Sequence, residues 1–350
     1  MTMPSVPPGQ SIVVATMVVA IAAIAAWLLT ARVLRYTLAR GVLDQPGSRS
    51  SHAVATPRGG GLAIVMVLLV VLPVLGVLSQ LPWSLVMALT GGCALVAALG
   101  WVDDHRALGA GWRLCGHVLA AAWALAWLGG LPTVLLPWGM ADLGVAGQVL
   151  ALLALVWLLN LYNFMDGING IAGIEALTVG LAMAAVLIAL GEFAAGVPLL
   201  LLAGASLGFL PWNFPRAQIF LGDVGSGTIG LFVAVHALYC AHLNPDLLWC
   251  WLILLAVFWV DATWTLLRRG LRGERVHEAH RSHAYQRLAR ATGSHALVSL
   301  GVGLVNLGWL LPLAAAVAAG VMSGWVALAI ATAPLLLAAW WLDAGAAEAA

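Results

Sequence analysis

The sequence predicts an all-α polytopic membrane protein of about eleven transmembrane helices, and three observations predict it. First, 63% of its 350 residues are hydrophobic and only 8% are charged, with a mean hydropathy of +1.02. An ordinary soluble domain is about 25% charged. Second, eleven apolar stretches approach the roughly 20 residues that a helix needs to cross a hydrocarbon core about 30 Å thick. They lie at 11–31, 60–79, 84–102, 114–130, 147–162, 171–190, 196–212, 226–243, 247–267, 297–318 and 323–342. Third, the chain has no lysine, and its fifteen arginines fall within 32–58, at 106–113, at 216 and within 268–290. With eleven helices those are alternate loops, and the intervening ones, near 80–83, 131–146, 191–196, 243–246 and 319–322, hold none. Strand periodicity is absent, and only helices or closed barrels satisfy the backbone in lipid. Residues 1–350 read as a single integral membrane domain.

The first ten residues, MTMPSVPPGQ, carry no positive charge, and Arg32, Arg35 and Arg40 follow the first apolar run. A cleavable signal peptide has the opposite arrangement, so this run reads as an anchor with its N-terminus outside. Basic residues are retained in the cytoplasm, which places the arginine-bearing loops and the C-terminus there. The four cysteines lie within apolar runs without pairing or metal spacing and read as small packing residues. A net charge of +1 gives no ground for a nucleic-acid partner.

The polar residues are as one-sided as the arginines. The first run leads into DQPGSRSSHAVATPRGGG (44–61) and the third into GWVDDHRALGAGWR (100–113). The fifth leads into NLYNFMDGINGIAG (160–173), the seventh into PWNFPRAQIFLGDVGSG (211–227) and the ninth into RRGLRGERVHEAHRSHAYQRL (268–288). The opposite loops offer little beyond Asp142, Glu192, His242 and Asp246. A transporter gathers polar groups near the bilayer midplane on broken helices. Polar groups gathered on one face suit an enzyme that joins a water-soluble substrate to a lipid one. A lipid-linked sugar flippase is the alternative, and a scaffold for glycan assembly is a third reading. A flippase needs charge along the helix interior, where this chain offers mainly Asp261.

Each motif has a chemical reading and a plainer one. The adjacent Asp103 and Asp104 suit a hard cation, or one ligand plus one base; alone they read equally as a solvated helix end beside Arg106. Asp223 sits between glycines at a helix start, where backbone amides face an anion and a carboxylate can hold a bridging metal; alone it reads as a helix cap. Asn163 and Asp166 are three apart and share a helix face. A packing seam of small residues accounts for Gly167, Gly170 and Gly173, but not for four hydrogen-bonding side chains within ten residues. His280, Arg281 and His283 suit diphosphate or nucleotide contacts, though H-x-x-H alone is also an ordinary solvated loop. Asp261 reads chiefly as a structural partner of Arg268, one or two turns away.

Together these motifs resemble the polyprenyl-phosphate N-acetylhexosamine-1-phosphate transferases, glycosyltransferase family 4, over roughly residues 44–288. RSSH…TPRGGG, VDD, NLYNFMDGINGIAG, PWNFPRAQIFLGDVGSG and HRSHAYQRL look most like the O-antigen-initiating branch, which includes users of UDP-N-acetylfucosamine or UDP-N-acetylglucosamine. The resemblance implies eleven helices in a bacterial inner membrane, with the active site on cytoplasmic loops. It implies transfer of a sugar-1-phosphate from a UDP-N-acetylhexosamine to undecaprenyl phosphate, release of UMP and a place in lipopolysaccharide biosynthesis. It also implies Mg²⁺, with Mn²⁺ as a substitute. On that template Asp223 matches the metal ligand. Asp103 and Asp104 match the pair that deprotonates or positions the lipid phosphate, and Asp166 joins them as a catalytic carboxylate. Asn160, Asn163, Asn169, Asn213, Arg58, His52, His280, Arg281 and His283 match substrate contacts.

Two departures stand out. Some members carry a third aspartate three positions after the pair, where this chain has Ala107. The peptidoglycan enzymes often carry an aspartate where this chain has Asn169, which argues against a muramoyl-pentapeptide donor. The sugar, direct attack against an aspartyl intermediate, and oligomeric state stay open, a homodimer included.

Overall fold

The computed structural model describes residues 8–46, 54–275 and 280–347. The long apolar runs form helices because a backbone in lipid must bond to itself. They are α1 (Pro8–Arg40), α2 (Leu62–Val77), α3 (Trp83–His105), α4 (Ala110–Leu128), α5 (Gly144–Phe164), α6 (Ile171–Ala189), α7 (Phe193–Asn213) and α8 (Asp223–Leu243). There follow α9 (Asp246–Leu254), α10 (Ala256–Leu271), α11 (Ala284–Thr292), α12 (His295–Val305), a π-helical turn (Asn306–Leu310), α13 (Leu311–Ala318) and α14 (Gly324–Trp341).

Helices that are apolar all round belong inside a bundle, and α8 is the most enclosed: 94% of its most apolar window is buried, against 11% for α1. α3 and α5 pack most extensively on this centre, with α9 and α2 beside them, and α1 lies against α7. Gly208 makes that last contact close, since a Cβ there would stand 2.0 Å from Ala23 O. Phe209, Phe232, Tyr162, Trp251 and Phe258 are fully buried in the middle.

The expected segments all fall on helices, but not as eleven equivalent spans. Among the described residues eight helices are long and apolar enough to cross a membrane, or nine if α9 and α10 count as one. Those two meet at Leu255 with a bend of 70°, and Trp259 Nε1 donates to Leu252 O at 2.8 Å across the break. α2 is shorter, at 16 residues, and α4 carries Arg113 and His117 within its first two turns. The tenth expected segment is interrupted by the π-helical turn, and α11 is an additional polar helix that no apolar run announced. The sequence suggested no strands. Two small antiparallel pairs occur in the loops, β1 (Leu43–Asp44) with β2 (Thr56–Pro57) and β3 (Val134–Leu136) with β4 (Gly139–Ala141). Cys93, Cys240 and Cys250 are buried free thiols, as their apolar surroundings suggested, while Cys115 is exposed.

Candidate active site

The site assembles where the ends of α3 and α5 meet the start of α8. Four N–H groups at a helix start lack intrahelical partners, and a neighbouring helix supplies two acceptors here. Asp104 Oδ1 accepts from Asp223 N at 3.1 Å, and Oδ2 accepts from Val224 N at 3.2 Å. Gly222 permits this approach: its φ is +76°, and a Cβ would lie 2.6 Å from Asp104 Oδ2. Arg58 closes the other end of the same junction. Its Nε donates to Asp104 O at 2.9 Å and its Nη2 to Asp103 O at 3.2 Å, satisfying carbonyls at the end of α3. The segment bearing Arg58 is tied down by Gly60 N→Phe220 O and Gly61 N→Leu221 O at 2.9 and 2.8 Å.

The aspartate pair therefore divides its work. Asp104 is 3% exposed and caps α8, so its carboxylate is already engaged. Asp103 accepts from Leu108 N at 2.6 Å and pairs with Arg113 Nη1 at 3.2 Å, holding the start of α4 to α3. Its carboxyl also reaches that of Asp223. The two adjacent carboxylates thus have separate partners.

Two cavities open on this junction. The first, of about 250 Å³, is polar. It is lined by Asp44, Arg58, Asp104, Asn163, Asp166, Asn169, Asn213, Asp223, Gln286 and His295. The second, of about 500 Å³, is walled by Leu99, Leu114, Leu153, Val156 and Trp157, with Asp103, Arg113, His117 and Asn160 gathered within it. Among the described residues Asn163 and Asp223 alone line both. A third, wholly apolar hollow of about 360 Å³ continues along α5, and Trp157 lines it and the second alike.

The turn after α5 carries the remaining expected groups. Asn163 Nδ2 donates to Asp223 Oδ1 at 2.6 Å and to Ser226 Oγ at 3.0 Å. Asn213 accepts from Gly170 N at 2.8 Å and donates to Ile219 O at 3.0 Å, fixing the turn to the end of α7. Asn169 Nδ2 donates to Pro215 O at 3.1 Å. Burial first, then the carboxylates of Asp223 and Asp104, hold the Asp166 carboxyl well above the usual aspartate range. Carboxylates crowded around one polar hollow each disfavour the ionisation of the others.

The structure does not bring every expected residue to one place. Asn160 lines the apolar cavity rather than the polar one, and its Nδ2 bonds back to Val156 O at 2.7 Å. His283 is 2% exposed and lines neither cavity; its Nδ1 meets Asp261 Oδ1 at 3.2 Å. His280 stacks on His283 with 4.8 Å between ring centres, and Arg281 O accepts from Arg290 Nη2 at 2.9 Å. Neither His280 nor Arg281 lines any of these three cavities. His52 lies outside the described residues. Asp261 does not pair with Arg268, which binds Asp343 at 3.2 Å instead. Its carboxylate accepts from Ala284 N and Tyr285 N at 2.9 and 3.0 Å and so caps α11. That helix in turn sends Gln286 to the polar cavity and Tyr285 Oη to Phe164 O at 3.0 Å.

Sequence reasoning missed Gln286 and His295. Gln286 stood in a quoted motif but was overshadowed by the histidines. His295 lies beyond the resemblance, yet it follows Ser294, which caps α12 by accepting from Leu297 N at 3.2 Å. A polar pair opening an apolar run is the signal Asp223 also gives.

Such a junction, a polar and an apolar chamber sharing one carboxylate, invites comparison with known proteins. The glycosyl transferase family 4 profile matches residues 86–241, from most of α3 through most of α8. The decaprenyl-phosphate N-acetylglucosaminephosphotransferase of Mycobacterium tuberculosis is 31% identical over 330 residues, covering 82% of this chain and 80% of that one. The chain belongs to glycosyl transferase family 4. A probable undecaprenyl-phosphate N-acetylglucosaminyl 1-phosphate transferase of Bacillus subtilis is 28% identical over 283 residues, covering 80% and 78%. A phospho-N-acetylmuramoyl-pentapeptide-transferase of Moorella thermoacetica is 35% identical over 221 residues, covering 59% and 68%. Family membership and a helical bundle rich in apolar spans agree in making this family 4 protein a multi-pass membrane protein.

Among the described residues no three His, Cys, Asp or Glu side chains converge to hold one ion by themselves. This does not oppose Mg²⁺, which takes one or two carboxylates and completes its shell with water and substrate phosphate oxygens. Asp223 and Asp166 face the polar cavity together, and their oxygen-only donor chemistry fits that ion.

Proposed function

We propose that this family 4 protein transfers an N-acetylated sugar-1-phosphate from a UDP-sugar to undecaprenyl phosphate or a related polyprenyl phosphate, releasing UMP. The observation that carries this reading is the meeting of the two cavities at Asp223 and Asn163. The polar chamber suits a UDP-N-acetylhexosamine. The apolar one suits a prenyl chain whose phosphate reaches Arg113. The arginine-bearing loops, and the site with them, face the cytoplasm of a bacterial inner membrane. The motifs favour initiation of an envelope glycan of the O-antigen type. The relatives' names favour N-acetylglucosamine phosphate as the group moved.

Phosphoryl transfer is mostly positioning plus the offsetting of charge. Arg58 and Gln286, both lining the polar chamber, would orient the diphosphate and nucleotide. Arg113 would draw the lipid phosphate toward Asp223. Asp103, bonded to Arg113, would set that arginine's direction, and Asp104 would keep the start of α8 in place. Asp223 and Asp166 would hold Mg²⁺, which supplies positive charge to the diphosphate when bound. Asn163, bonded to Asp223, would fix which oxygen of that carboxylate turns to each chamber.

A UDP-N-acetylhexosamine with radioactive phosphorus only in the phosphate next to the sugar tests the reaction. Label is expected in the lipid phase with unlabelled UMP in water, and added UMP is expected to regenerate labelled donor. Label left in water as UDP, with sugar entering the lipid, would overturn the assignment.

A further inference from the structure

Glu175 on α6 and Asn306 at the head of the π-helical turn are both fully buried. Asn306 Nδ2 donates to Glu175 Oε2 at 2.7 Å and to Thr178 Oγ1 at 2.9 Å. The Thr178 hydroxyl donates to Ile174 O at 2.7 Å and has no proton left to give. Two buried oxygens, Glu175 Oε1 and Asn306 Oδ1, have no partner among the described residues. Among the described residues no cation pairs with Glu175. An ionised carboxylate would leave both oxygens unsatisfied and a charge uncompensated inside the bundle, which is costly. One proton on Oε1 resolves both at once. The acid O–H would then donate to Asn306 Oδ1 while the amide donates to Oε2, a two-point pair of acid and amide.

This pair stands at one end of a stripe. His295, Ser299, Gly303 and Asn306 are spaced four, four and three apart, so they share one face of α12. His295 lines the polar cavity and its Nδ1 accepts from Asn169 N at 3.4 Å. Ser299 Oγ donates to Asn169 O at 2.8 Å. Gly303 lies against α6, where a Cβ would stand 3.0 Å from Ile174 Cγ2. Asn306 then locks the stripe to Glu175. A π-helical turn in a helix often marks a functional position, and this one begins at the lock.

We propose that Glu175, as a neutral acid paired with Asn306, is a positioning residue for the donor cavity. The pair sets the rotation and depth of α12, and through His295 and Ser299 it places the turn bearing Asn169. Its kinetic readout rests on the function proposed above; its chemical readout does not.

Glu175→Gln, Glu175→Leu and Asn306→Leu test it in the full-length protein in detergent. The infrared difference between wild type and Glu175→Gln is expected to show the carbonyl band of a protonated carboxylic acid at neutral pH. An amide supplies an N–H where the acid supplied O–H, so Glu175→Gln is expected to keep the wild-type melting temperature and both KM values. Glu175→Leu and Asn306→Leu are expected to raise KM for the UDP-sugar about tenfold and leave KM for polyprenyl phosphate unchanged. An ionised-carboxylate band would overturn the proposal, as would damage from Glu175→Gln equal to that from Glu175→Leu, or an equal rise in both KM values. If no sugar phosphate is transferred by any form, the function fails, and the infrared band together with the melting of the three variants still decides whether the neutral pair exists.

Discussion

Asn163 Nδ2 donates to Asp223 Oδ1 at 2.6 Å, and these two residues are the shared wall of the polar and apolar chambers. A group passing from one chamber to the other passes this pair. Asp223→Asn replaces a carboxylate with a far weaker metal ligand while leaving the backbone amide that Asp104 holds. Turnover is expected to fall below about a tenth of wild type at saturating Mg²⁺, a loss above about 1.4 kcal/mol of transition-state stabilisation. An unchanged melting temperature in detergent would accompany it. Activity above that level would return Asp223 to a purely structural place.

Asp104 is expected to matter first for stability. Removing its carboxylate leaves the amides of Asp223 and Val224 without acceptors in a buried junction. Asp104→Ala is expected to cost about 1–3 kcal/mol, read as a lower unfolding midpoint. Asp103→Asn keeps the side-chain oxygen facing Leu108 N and is expected to unfold near wild type while KM for the lipid phosphate rises. Equal destabilisation by the two changes would contradict the division of work between them.

The Asp261 carboxylate collects His283 Nδ1, Ala284 N, Tyr285 N and the Thr265 hydroxyl. Asp261→Asn sets an amide N–H against donors and is expected to cost about 2 kcal/mol. Because α11 carries Gln286 into the polar cavity, KM for the donor should rise in the same variant. A kinetically silent Asp261→Asn would detach α11 from the site.

His280 gives a pH dependence with a definite sign. Burial first, then the neighbouring His283 and Arg269, push its pKa down to about 3. The unfolded chain takes up a proton near the ordinary value of 6.5, which the folded chain refuses until about pH 3. Stability is therefore full above 6.5 and declines as pH falls through that window. Unfolding midpoints measured from pH 7 to pH 4 should decline less steeply for His280→Gln than for wild type. Parallel slopes would remove His280 as a contributor.

Orientation can be checked by labelling. Single cysteines at 81, 140, 193 and 245, in a background lacking the four native ones, should react with an impermeant reagent from the periplasm. Those at 54, 108 and 275 should not. Periplasmic labelling at 275 would break the arginine-based assignment.

What the sequence made legible follows from what lipid penalises. Asp103, Asp104, Asn163, Asp166 and Asp223 stood out because polar groups in apolar surroundings need a reason to be there. Their partners did not stand out. That Asp104 caps a helix 119 positions away, that Asn160 turns to the apolar side and that Asp261 takes His283 instead of Arg268 depend on how helices rotate against each other. Helix rotation is settled by packing across the bundle, which a linear pattern does not record. Breaks inside the apolar runs went unannounced for a related reason: the bend at Leu255 and the π-helical turn at Asn306 leave composition almost unchanged.

The polar cavity has one wall that arrives late. Asn169 is gripped by Ser299, 130 positions further along, and His295 and Gln286 complete the lining. All the acidic groups of that chamber, and most of its lining, are in place by the end of α8. During synthesis the ribosome thus delivers the charges well before Gln286 and His295, which close the last side. A nascent chain halted after α8 would hold a chamber open on that side until α11 and α12 had joined the bundle.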